Sequence, residues 1–63
     1  MTMRRDEQGE RDLRKGLREL SAHRPDRALR LFRSSVETCP ASRPAELERR
    51  LYWLAVALLE LGQ

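Results

Sequence analysis

The run Leu51-Tyr52-Trp53-Leu54-Ala55-Val56-Ala57-Leu58-Leu59-Glu60-Leu61 decides the fold, and Glu60 is its only charge. Leu47, Leu51, Leu54, Leu58 and Leu61 recur at alternating steps of four and three, which places them on one helical stripe. Tyr52, Val56 and Leu59 form a second stripe beside it, and Trp53 and Ala57 a third. A helix that is apolar nearly all round is buried nearly all round. This chain has little with which to bury it.

The chain has 63 residues and makes one domain at most. A domain of this size buries about 60% of its unfolded surface and is marginal without disulfides, a metal, oligomerisation or unusually good helix packing. Cys39 is the only cysteine, so no disulfide forms within one chain. His23 and Cys39 are single soft ligands far apart, whereas a structural zinc site takes four, so neither a metal nor another cofactor is expected. A second copy or a partner protein is what remains. A lone thiol, and an N-terminus whose charges are followed by no apolar core, fit a reducing, cytoplasmic setting. The 51–61 run is too short for a bilayer, which takes about 20 apolar residues.

Upstream of that run, Leu13, Leu17 and Leu20 sit at i, i+4 and i+7 and form one narrow stripe. The spacing predicts a helix over roughly 10–22, with residues 1–9 frayed or disordered. Gly16 marks either a close approach of another helix or plain tolerance of glycine. Arg24-Pro25-Asp26 is the first break. Proline disfavours helix in the residue before it and suits the first helical position, and Asp26 then complements the helix dipole. A second helix is expected from Pro25 to about Thr38, with Ala28, Leu29, Phe32, Ser35, Val36 and Cys39 on one face. The short connection makes the first two helices an antiparallel hairpin. Cys39-Pro40-Ala41-Ser42-Arg43-Pro44 is the second break, with Ser42 or Arg43 as the cap of a third helix from about Pro44 to Leu61. Gly62 is placed to end that helix in the left-handed conformation. No stretch reads as a strand, so the fold class is all-α: an antiparallel hairpin plus a third, strongly apolar helix.

The formal charge is +3 and the sequence pI is near 10.0. Acids precede bases by four residues at Glu7–Arg11, Glu10–Arg14, Asp26–Arg30 and Glu46–Arg50, the arrangement that supports exposed helix faces. Arg24, Arg27, Arg30 and Arg33 form a row on the second helix. Such a row can grip phosphates, whose neutralisation drives nucleic-acid affinity, but no aromatics interleave it for stacking on bases, and Asp26 and Glu37 dilute it. It reads as a solvated face, with a small basic nucleic-acid-binding protein as the alternative. His23 reads as an exposed residue at a helix C-terminus and Cys39 as a small buried hydrophobe. No constellation of nucleophile, base and carboxylate is readable, so no enzyme, catalytic residue or small-molecule substrate is expected.

Gly16 in the first helix, then Ala28, Phe32 and Pro40 in the second, with Arg24-Pro25-Asp26 at the tight turn, resemble one tetratricopeptide (TPR) repeat. Leu54, Ala55, Leu58 and Gly62 resemble the first helix of a following repeat, so the likeness covers about three quarters of the chain. The resemblance implies protein binding rather than catalysis. The leucine seam of the third helix is expected to pack on the hairpin. Tyr52, Trp53, Val56 and Leu59 are then the candidate interface with a partner protein or a second copy.

Overall fold

A computed structural model describes residues 5–62, and side chains from Glu7 onward. Three helices follow one another: α1 over Arg5–Ser21, α2 over Pro25–Glu37 and α3 over Pro44–Leu61. No strand occurs among the described residues, and the fold is all-α. No described helix is long and apolar enough to cross a membrane.

The two prolines start their helices as their chemistry requires. Pro25 and Pro44 take the first helical position, where a missing N–H costs nothing. Arg24 and Arg43 are the cap residues, and neither makes a side-chain cap bond. Their carbonyls accept the first helical bonds instead, from Ala28 N–H at 3.0 Å and Leu47 N–H at 3.1 Å. Asp26 and Glu46 stand in the first turns, at the positive end of each helix dipole.

The start expected for α1 near residue 10 lies at Arg5 instead. The sequence reading of residues 1–4 falls outside the described residues. Gly9 is buried within the helix, under Arg50 and Thr38. At the other end, α1 closes in a Schellman motif: Arg24 N–H donates to the Glu19 carbonyl at 2.9 Å and His23 N–H to that of Leu20 at 3.0 Å. His23 therefore carries the left-handed turn, with φ 61°, where glycine is usual. Gly62 is not left-handed; its φ of −76° continues the right-handed helix, and its N–H donates to the Leu58 carbonyl.

Each helix packs on the one before it, while α1 and α3 barely meet. The Cα envelope measures 38 × 24 × 13 Å. Axes about 8–10 Å apart give three side-by-side helices such a width, whereas a closed triangle would be narrower. The core is correspondingly thin: Leu13, Ala28, Phe32 and Ala57 are buried, with Leu17, Leu20, Leu29, Trp53 and Leu54 packed around them. Gly16 is a close approach and not mere tolerance. A Cβ there would come within 2.5 Å of the Phe32 ring, which is itself fully buried. Two polar ties bind α1 to its neighbour. Ser34 Oγ donates to Asp12 Oδ2 at 2.7 Å, and Arg24 Nη1 pairs with Glu19 Oε2 at 3.2 Å.

Candidate functional site

The orientation of α3 determines which of its residues are available to a partner, and Arg50 sets that orientation. Its side chain is fully buried. Nε donates to Glu46 Oε1 at 3.2 Å and Nη1 to the Ser35 carbonyl at 2.8 Å, while Nη2 has no partner among the described residues. Ser35 lies in the last turn of α2, whose final carbonyls lack helical partners and carry partial negative charge. The guanidinium thus caps α2 from α3, and the missing side chain of Gly9 makes room for it. A Cβ on Gly9 would sit 2.6 Å from Arg50 Nη1 and 2.6 Å from Thr38 Oγ1. Thr38 Oγ1 completes the cap by donating to the Ser34 carbonyl at 3.0 Å.

With Arg50 inward, the packed line of α3 runs Glu46, Arg50, Trp53, Leu54 and Ala57. Trp53 lies against Phe32 with ring centroids 6.5 Å apart and packs on the core. The seam Leu47/Leu51/Leu54/Leu58/Leu61 expected to pack on the hairpin does so only in part. Leu47 and Leu54 are half-buried, but Leu51, Leu58 and Leu61 are exposed. The helix is turned by roughly a fifth of a revolution from the orientation that would bury the leucine seam, at 100° per residue.

An apolar surface is left outside. Leu51, Tyr52, Leu58, Leu59 and Leu61 are between 43% and 67% exposed, and Ala55 is exposed among them. Of the four expected interface residues, Tyr52 and Leu59 are the most exposed of this set, at 61% and 67%. Val56 is half-buried at the edge, and Trp53 turns to the core. Tyr52 stands edge-on to Trp53, centroids 5.1 Å apart, which props its ring on the surface. Leu51 and Leu58 join the face although the leucine periodicity had assigned them inward. The signal for them is Arg50 together with Ala57, seven residues on. A buried cation and a methyl on one line make a face that admits close packing, and the leucines are displaced from it.

Arg24, Arg27, Arg30 and Arg33 are all exposed. Arg24 is paired with Glu19. Arg30 and Arg33 share an open depression of about 340 Å³ with Asp26, Glu37, Leu29 and Leu61, a lining of mixed sign. A second basic row, Arg11, Arg14, Lys15 and Arg18, lines the outer side of α1. His23 is exposed. Cys39 is half-buried, with its thiol 3.8 Å from the Pro40 carbonyl oxygen in the turn before α3. Among the described residues, no three histidine, cysteine, aspartate or glutamate side chains gather as metal ligands. Comparison with family models, curated proteins and solved structures finds no match for this chain.

Proposed function

We propose that this chain is a non-catalytic protein–protein interaction module that binds through the outward face of α3. The observation that carries the reading is the set Leu51, Tyr52, Leu58 and Leu59, side by side and exposed on one helix. Scattered apolar side chains are ordinary on a protein surface, but a contiguous group marks a contact surface or an aggregation liability. Tyrosine also adds the kind of anchor that dominates interface energetics. The TPR-like spacing of Gly16, Ala28, Phe32 and Pro40 supports the same reading, because helical repeats of that kind bind proteins.

A face built on a helix that is itself tied down by Arg50 and Trp53 needs little ordering on binding, which lowers the entropic cost of association. The test compares the wild type with Leu59→Glu. Light scattering over an approximately tenfold concentration range reads self-association, and affinity capture read by mass spectrometry reads other proteins. The reading expects the wild type to associate with itself or to retain a protein that Leu59→Glu loses. It is overturned if the wild type does neither.

A further inference from the structure

We propose that the occupant of this face is a second copy of the same chain, with the two α3 helices antiparallel and crossing at Ala55. The inference rests on the reading of α3 as a binding surface and adds the identity and register of the partner. The exposed residues are arranged symmetrically about Ala55. Leu51 and Tyr52 precede it by four and three positions, and Leu58 and Leu59 follow it by three and four. All lie on the same side of the helix.

A two-fold interface is self-complementary: where one residue meets a second on the other copy, that second residue meets the first in return. With the helices antiparallel each edge of the face meets itself, so Leu51 lies beside the second copy's Leu58, and Tyr52 beside the second copy's Leu59. Every large apolar side chain on one copy finds one on the other. Only the methyl of Ala55 stands at the centre, so the axes can approach to the close end of the usual range of about 8–10 Å.

Charge selects the antiparallel direction. Glu48 is the one charge in the stripe, at its N-terminal end and exposed. A parallel pair would set Glu48 against its own copy, and like charges across an interface are costly. The antiparallel pair sets Glu48 opposite Gly62, seven residues beyond the crossing, where no side chain competes for space. Arg49 and Glu60 are exposed too, but at about 120° and 140° round the helix from Ala55 they lie behind the stripe, and Arg49 pairs with Glu46 of its own helix at 3.9 Å. The helix dipoles also oppose one another.

The size of the face bounds the affinity. A standard interface buries about 800 Å² on each partner, against a total surface here of 4847 Å². The stripe from Glu48 to Gly62 is about 21 Å long and one helix face wide. That places the dimer at the small end of specific interfaces, weak and concentration-dependent.

Cysteine cross-linking tests partner and register together. In a Cys39→Ser background, Ala55→Cys puts two thiols at the crossing, within the Cα separation a disulfide spans, and Glu48→Cys puts them at opposite ends of the interface. The expected result is a covalent dimer from Ala55→Cys under mild oxidation, formed at least about tenfold faster than from Glu48→Cys. Adding Leu59→Glu is expected to abolish it. The proposal is overturned if Glu48→Cys cross-links as fast, if Leu59→Glu changes nothing, or if the wild type scatters as a monomer throughout. A monomer that still retains a protein lost by Leu59→Glu ends this inference and leaves the interaction reading standing. A monomer that retains none ends both.

Discussion

At the scale of single residues, two positions carry more of the structure than their types announce. His23 holds φ 61° so that α1 can close its Schellman motif. A side chain with a Cβ is strained there by roughly 1–2 kcal/mol, a penalty glycine avoids at some cost in unfolded-state entropy. His23→Gly is therefore expected to stabilise the fold by about 1 kcal/mol, which raises the melting temperature of a domain this small by about 4–8 °C. A thermal melt followed by circular dichroism checks it, and an unchanged or lower midpoint would show that the strain relieved does not exceed the entropy cost of glycine. Arg50 is the second position. Removing its side chain leaves the Ser35 carbonyl with only the long Thr38 Oγ1 bond at 3.4 Å and Glu46 with only the Arg49 pair at 3.9 Å, and opens a void beneath Gly9. Arg50→Ala is expected to cost on the order of 3 kcal/mol in urea unfolding, the scale of breaking a buried charge network. Arg50→Met keeps much of the volume and should lose clearly less.

At the scale of elements, the question is how α3 is rotated. Its sequence offers two apolar sides of similar quality, and hydrophobicity alone favours the leucine-rich one for burial. The observed packing uses the other, because that side supplies Trp53 for the Phe32 ring, Ala57 for close approach and Arg50 for the bare end of α2. Substitutions of opposite character separate the two orientations. Ala57→Leu inserts three carbons into a fully buried site and is expected to destabilise by about 1–3 kcal/mol, the usual range for overpacking. Leu58→Ala removes as many carbons from an exposed site and should cost much less than a buried leucine would, which is about 2–5 kcal/mol. Urea unfolding of the two variants at low concentration decides it. A large loss for Leu58→Ala with tolerance at Ala57 would place the leucine seam inward after all. The helix boundaries raise no such question. Pro25 and Pro44 declare their starts locally, and the end of α2 falls within a residue of expectation.

At the scale of the whole molecule, three helices lie nearly in one layer, and α3 has no neighbour on its outer side. A domain ordinarily buries each amphipathic element against another layer. This one leaves part of its largest apolar surface in water, and its stability is correspondingly exposed to mass action. Whatever binds the folded chain and not the unfolded one stabilises it. If the second layer is another copy, the melting temperature rises with protein concentration. Leu59→Glu, which removes the association, flattens that dependence and lowers the midpoint toward the dilute wild-type value. Differential scanning calorimetry at several concentrations measures both, and a wild-type midpoint independent of concentration would exclude coupling between folding and assembly.

The sequence by itself determined the helical class, the two proline-led helix starts, the hairpin of the first two helices and the presence of an apolar excess on the third. These are consequences of local chemistry: periodicity, a missing N–H, a connection too short for anything but an antiparallel turn. It also indicated Tyr52 and Leu59, the most exposed of the large apolar side chains. The tertiary structure alone decided that Arg50 points inward, that Leu51 and Leu58 point outward, that Gly9 and Gly16 are contact points, and that His23 takes the left-handed turn in place of a glycine. The reason is physical. A helical repeat defines faces but not which one is buried, and here that choice depends on the unpaired carbonyls of α2, fifteen residues away in the chain.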